Sequence, residues 1–285
     1  MDVRLRAFAI GLRRGWHEFV IGLRSSQDQT FYIFMGLGAL ALLWFSRDEV
    51  IEGTPLTVPQ VALPSLLAGL LMFAIVIGPA YALALEREDG TLLRCRVAPY
   101  GLHGYLTGVG TLTVVSLSPL FVIVLGGSAI LFEGAVPTEP WRWALIVAVL
   151  LLGILANLPL GFVIGSLVSR IQQVTTWGML PIIALAWISG IFGEMERLWD
   201  WAQILAQAFP LYWLGHLMRY AFLPDAAVAG ELYGTWRVGW GLGVLLAWTV
   251  IGSALAVLVV RRMARRQSGA AVAEARDQAA NMYVR

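Results

Sequence analysis

The sequence contains no lysine: all 20 of its basic residues are arginine. That absence removes Schiff-base chemistry and the phosphate-gripping lysine of a P-loop from what this chain itself can do. A single cysteine, Cys95, leaves no partner for an internal disulfide and no multi-cysteine metal site. Charge is scarce too. Charged residues make up 13% of the chain, against about 25% in an average soluble protein. Apolar residues make up 59%, and the mean hydropathy is +0.74. This composition excludes a water-soluble globular domain, and 285 residues are enough for several membrane crossings.

A helix needs about 20 apolar residues to cross a hydrocarbon core roughly 30 Å thick. Six stretches meet or approach that length: Phe31–Phe45, Val61–Leu85, Tyr105–Phe132, Trp141–Val168, Val174–Phe192 and Val238–Val260. The first is short and is expected to recruit residues 27–30. Pro119 in the third, and Asn157 with Pro159 in the fourth, predict kinks, which neighbouring helices can tolerate. Gly108, Gly110, Gly126, Gly153, Gly161 and Gly165 let backbones approach closely, so these two spans are expected inside a bundle. Leu198–Leu223 is apolar on average, but Pro210 cuts it into pieces too short to cross. It also carries Asp200, Gln203, Gln207, His216 and Arg219. It reads as two short interfacial or re-entrant helices.

The middles of the six stretches hold no Asp, Glu, Arg or His. Ion-driven carriers and intramembrane hydrolases keep such groups near the midplane, where burying them is costly. Asn157 is the lone strongly polar side chain at depth, and an interhelical hydrogen bond is expected of it. His17, His103 and His216 are far apart in sequence, so no metal site is assigned. No catalytic residue is assigned either, and nothing points to nucleic acid. Energy for any uphill transport has to come from elsewhere.

Arginine fixes the expected orientation. With six spans, one side collects fifteen arginines and the other only Arg47, Arg142, Arg197, Arg219 and Arg237. The arginine-rich side is expected to be cytoplasmic, with both termini on it. The first residues do not read as a cleavable signal peptide, because arginines are spread through them and no apolar core with a cleavage site follows. On a helical wheel Leu5, Phe8, Leu12, Trp16, Phe19 and Leu23 share a sector of about 80°, and Arg6, Arg13, His17 and Arg24 occupy a neighbouring one. This predicts a helix in the membrane surface, its apolar face in the acyl boundary and its arginines on anionic headgroups. The plainer alternative is a leader helix packed against the first span.

The stretch after the second span carries the most specific pattern: Glu86-Arg87-Glu88-Asp89-Gly90-Thr91-Leu92-Leu93-Arg94-Cys95-Arg96-Val97-Ala98-Pro99. Twenty-five residues make about 37 Å of helix, so the second span is expected to project beyond the membrane. Gly90 suits its end, Thr91 the cap of a new short helix and Pro99 its stop. Mixed charge beside Leu92, Leu93 and Val97 suits docking into a cleft of another protein.

That run resembles the Glu-x-Glu-x-Gly-Thr-Leu…Pro segment of ABC-2 type exporter permeases, with the daunorubicin-resistance permeases as one group. The order of a leading amphipathic helix, six spans and short outer helices between the fifth and sixth is also similar. The Arg94-Cys95-Arg96 portion departs from the pattern, where apolar or acidic residues are commoner. The resemblance implies an all-α integral membrane protein with an amphipathic interfacial helix over residues 1–27. A six-helix transmembrane domain would cover 28–260 and a cytoplasmic tail 261–285. It implies a cytoplasmic coupling helix, with Glu86, Arg87, Glu88, Gly90, Thr91, Leu92, Leu93, Arg94 and Arg96 engaging a separate ATPase. On this reading the chain has no cofactor and is not an enzyme, and ATP and Mg belong to that partner, present in two copies. A second permease copy, identical or similar, completes the complex in a bacterial plasma membrane. The cargo path implied runs at the interface of the two permease copies, lined largely by the second and fifth spans at Met72, Phe73, Ile77, Met179, Ile183 and Trp187, and suits a hydrophobic or amphipathic compound such as a drug, antibiotic or lipid. The outer helices around Pro210–Leu223 are expected to close the outer gate, with His216 and Arg219 bonding there. Two alternatives stay open: a stand-alone carrier or membrane enzyme, and a permease-like protein with a sensing role.

Overall fold

The computed structural model describes residues 3–51, 54–88, 101–168, 171–191, 195 and 198–266. Along them run α1 (Val3–Gly22), α2 (Ser26–Phe45), α3 (Val58–Glu88), α4 (Gly101–Leu131), α5 (Pro140–Leu167), α6 (Ile171–Ile188), α7 (Asp200–Ala208), α8 (Pro210–Phe222) and α9 (Val238–Arg266). Two 3₁₀ turns, Asp225–Gly230 and Leu232–Gly234, join α8 to α9. Six of these helices, α2 to α6 and α9, are long and apolar enough to cross a membrane. The chain is therefore an all-α multi-pass membrane protein, as its hydropathy predicts. Extended pairing among the described residues is limited to one isolated antiparallel bridge, Val50 with Thr57.

Most helices outrun their apolar stretches. α3 has 31 residues, about 46 Å of helix, and continues past Leu85 to Glu88. Pro64, Pro79, Pro119 and Pro159 all lie inside helices that run through them. Each removes one backbone donor, a loss that packed neighbours accommodate. α9 likewise runs beyond Val260 to Arg266. Leu198–Leu223 divides at Pro210 as expected, with Pro210 starting α8 at the position where a missing N–H costs nothing.

The inner pair is α3 and α5. Half of the most apolar window of each is buried, against 17% for α6 and 22% for α2 and α9. Leu63, Leu67, Leu71 and Ile75 form a row at four-residue spacing on α3, none more than 1% exposed. On α5, a Cβ at Gly161 would lie 2.6 Å from the Val76 carbonyl oxygen, and one at Gly165 would lie 2.8 Å from the Ala80 Cα. Lipid gives helices little hydrophobic reason to associate, so this backbone-to-backbone closeness is what holds the pair. Asn157 shares that face and is fully buried. Its amide donates to the Gly153 carbonyl of its own helix at 2.8 Å, not across to a neighbour as expected. The residues beside it pack on Leu214 and on the α3 backbone, which leaves the carbonyl one turn back as acceptor.

α1 lies lengthwise on the first half of α4. A Cβ at Gly11 would meet the Gly104 carbonyl oxygen at 2.4 Å, and one at Gly15 the Gly108 carbonyl oxygen at 2.4 Å. The contacts advance in step, so the two helices run parallel. The ridge that docks is Ala7, Gly11, Gly15 and Phe19, all buried. The sector singled out on the wheel mostly faces outward, with Leu5, Phe8, Leu12 and Trp16 exposed and only Phe19 turned in. Arg6 and Arg13 are exposed as well. Ala7, Gly11 and Gly15, with Phe19 as the one large apolar side chain of the ridge, thus seat α1, and they seat it on α4 rather than on α2.

α6 carries an irregularity. Residues Val174–Gly178 form a π-helical turn between two α-helical pieces. Trp177 within it and Leu180, Ile183 and Trp187 beyond it make one exposed stripe.

Candidate functional site

The last turn of α3 is a junction. Arg14 of α1 donates from Nη2 to Glu86 Oε1 at 2.7 Å and from Nε to Glu18 Oε1 at 2.7 Å. Its guanidinium also lies over the Tyr105 ring of α4, 5.9 Å from the centroid. Partial burial works against the Arg14 charge, but the hydrogen bonds and charges of Glu18 and Glu86 outweigh it and hold the group protonated. Arg87 Nη1 donates to the Val168 carbonyl at 2.8 Å, closing the C-terminal end of α5. Glu88 Oε1 accepts from the Ile171 backbone N–H at 2.9 Å, at the start of α6. A carboxylate there meets the unpaired donors and the positive end of that helix. Three successive side chains therefore tie α3 to α1, α5 and α6. The family resemblance sets Glu86 and Glu88 against a separate ATPase; within the chain these acids contact Arg14 and the Ile171 N–H. Gly90, Thr91, Leu92, Leu93, Arg94 and Arg96 lie outside the described residues.

The six expected pathway residues fall in two settings. Met72 is 2% exposed and packs with Val76, Ile182 and Leu211, with Ile77 against that cluster. Phe73 and Met179 are half-buried. Ile183 and Trp187 face outward on the exposed stripe of α6. What the sequence placed together is split between a packed α3–α6 contact and an open helix face.

At the opposite end of α3 lies a polar cluster that sequence reasoning only half saw. Arg219 of α8 grips Glu231 with two nitrogens, Nε to Oε1 and Nη2 to Oε2, the latter at 3.1 Å. Its Nη1 donates to Ser65 Oγ of α3 at 3.0 Å. His216 Nδ1 is 2.6 Å from Glu231 Oε2, and its Nε2 accepts from the Arg237 backbone N–H at 3.1 Å. That pattern assigns the neutral ring with its proton on Nδ1, donating to the carboxylate. His216, Arg219, Glu231 and Ser65 are all buried. Burial pushes the Glu231 carboxyl up, but the Arg219 charge and the bonds from His216 and Arg219 outweigh it and hold it at about 2. Next to the cluster, Arg237 donates to Gln207 Oε1 at 2.7 Å and sits among the rings of Trp213, Tyr233 and Trp240.

This cluster clasps the α7–α8 hairpin to α3 and to the chain that follows it. Every charge in it has a hydrogen-bonded partner, the condition under which buried charge is tolerable. His216 and Arg219, three residues apart on an otherwise apolar helix, were the visible signal. Glu231 gave none, because it sits in a turn with nothing regular about it.

A family model described as ABC-2 family transporter protein matches residues 50–258, which takes in α3 to α8 and most of α9. The comparison with curated proteins gives no match. The polar cluster and the α3, α5 and α6 parts of the junction fall inside the matched stretch, with Arg14 and Glu18 before it; the stretch is most of the chain and takes in four of the six candidate crossings among the described residues and most of a fifth. On that ground the chain belongs to the ABC-2 transporter family, as the membrane-spanning permease of such a transporter.

Proposed function

We propose that the chain is the permease subunit of an exporter, driven by a separate ABC ATPase that docks at residues 86–99 on the cytoplasmic side. The observation that carries this reading is the junction at the end of α3. Any partner that moves the segment after Glu88 pulls at once on α1, on the end of α5 and on the start of α6. Two permeases and two ATPases complete the unit, with both termini of this chain in the cytoplasm and the membrane that of a bacterial cell. ATP and Mg bind on the ATPase. Closure of the ATPase pair shifts the segment after α3, and the bundle exchanges an inward for an outward opening. The loosely packed α6, with its stripe of Trp177, Leu180, Ile183 and Trp187, suits a bulky hydrophobic or amphipathic cargo passing between two copies. The clasp at Ser65, Arg219 and Glu231 holds the outer hairpin as one rigid plug during that exchange.

The test is co-purification of tagged chain with its ATPase, followed by cargo-stimulated ATP hydrolysis after reconstitution. Glu88→Gln removes the charge at the start of α6. It is expected to leave the complex assembled and to lower the stimulated rate about tenfold, while basal hydrolysis stays. Failure to recover any ATPase, together with unchanged transport in Glu86→Gln/Glu88→Gln, would sink the proposal.

A further inference from the structure

A cleft of about 660 Å³ opens among α1, α4, α5 and α9. Its walls are apolar, made by Phe8, Leu106, Leu158, Phe162, Ala256 and Val257. Its mouth is not. Arg261 and His103 stand there, with Arg261 Nη2 3.0 Å from His103 Nε2. The ring nitrogen accepts, so the contact supplies a hydrogen bond and no negative charge. Among the described residues no carboxylate pairs with Arg261, and Arg262 follows it on the exposed side. The nearby acids described at this end, Glu18, Glu86 and Glu88, are engaged by Arg14 and by the Ile171 N–H. The mouth is thus a positive site above an apolar slot.

The dimensions fit one leaflet. From Ser253, deep in the cleft, to Arg261 at the mouth is eight residues of α9, about 12 Å. Half of a hydrocarbon core is about 15 Å. The slot therefore begins near the midplane and ends where headgroups begin. An acyl chain fills such a slot lengthwise and brings its phosphodiester to the guanidinium, whose planar fork matches phosphate oxygens. Basic pockets between membrane helices favour acidic headgroups over zwitterionic ones. The cleft uses the face of α5 that carries Leu158 and Phe162, not the glycine face packed on α3, so it is separate from the α3–α6 contact.

We propose that this cleft is a binding site for an anionic glycerophospholipid of the leaflet on the α1 side, one acyl chain lying between α5 and α9 and the phosphate on Arg261. The occupant also bridges α1 to α9 through Phe8, giving α1 a second hold besides its glycine contact. The proposal rests on membrane embedding and not on the ATPase reading, and either can fail without the other.

The experiment is native mass spectrometry of the full-length chain released from bilayers of equal parts phosphatidylglycerol and phosphatidylcholine. The wild-type chain is expected to retain phosphatidylglycerol over phosphatidylcholine by about fivefold. Arg261→Gln is expected to abolish that preference, and Arg47→Gln at the other end to keep it. Ala256→Trp fills the slot and is expected to lower retention of both lipids. Phe8→Ala leaves the bundle core intact, should its bulkier counterpart fail to fold, and is expected to weaken retention in the same direction. Equal retention of the two lipids by the wild-type chain, or an undiminished preference in Arg261→Gln, overturns the assignment.

Discussion

The two ends of α3 are fastened by opposite means. At the Ser65 end, charges do the fastening, and they are buried: the Arg219 and Glu231 side chains are 9% and 4% exposed. At the Glu86 end, Arg14 and Glu86 are 35% and 14% exposed, and the tightest contact is between glycine backbones of α1 and α4. A buried, fully bonded ion pair is costly to break once formed. A pair with one partner a third exposed is worth less and is more easily exchanged for other partners. One end of the helix is therefore built to stay, and the other to be released and caught again.

Removing Arg219 attacks the fixed end. Arg219→Leu leaves Glu231 buried without its cation, at a cost of about 3–5 kcal/mol. Unfolding in detergent read by tryptophan fluorescence is expected to show that loss, and a change below about 1 kcal/mol would place the clasp no higher than an ordinary surface pair. Acid attacks the same point more gently. Glu231 is held at about 2, below its ordinary value of 4.5, so its contribution is complete above about pH 5 and disappears as pH falls towards 2. Of the order of 3 kcal/mol is expected to go over that window. Glu231→Gln should flatten this part of the pH–stability profile, and a profile identical to wild type would assign the acid sensitivity elsewhere. The smallest effect is expected at the other end. Gly15→Leu forces α1 off α4, because a Cβ already overlaps the Gly108 carbonyl, and the cost is about 1–3 kcal/mol. Proteolysis within α1 should accelerate while the six crossings stay protected. An unchanged digestion pattern would show that α1 is held by something other than the glycine contact.

The crossings were legible in the sequence because hydrocarbon thickness imposes a length that composition cannot disguise. The break at Pro210 was legible for the same reason, since neither half is long enough to cross. The junction at Glu86–Glu88 was located but its partners were not. Sequence shows three charges in a row and not that Arg14, seventy-two residues earlier, folds back to meet the first. The seat of α1 was missed because the wheel rewards large apolar side chains, while Gly11 and Gly15 act by having none. Glu231 was missed because it reaches Arg219 across a turn that leaves no periodic trace. The pathway residues rest on family resemblance, and Met72 packs with Leu211 of the α7–α8 hairpin.

The π-helical turn at Val174–Gly178 has a consequence for length variation in α6. A π turn accommodates one more residue than the α-helix it interrupts. Deleting a single residue there lets the helix close into regular α form with everything from Met179 onward at nearly the same azimuth, because the wide turn already takes up the about 100° that one residue contributes. Leu180, Ile183 and Trp187 would stay on the outward stripe, and none of the residues that anchor α6 to Glu88 would move. A one-residue gap at this place is thus tolerated without turning the fifth crossing, whereas the same gap elsewhere in a regular α-helix would swing all that follows by about 100°.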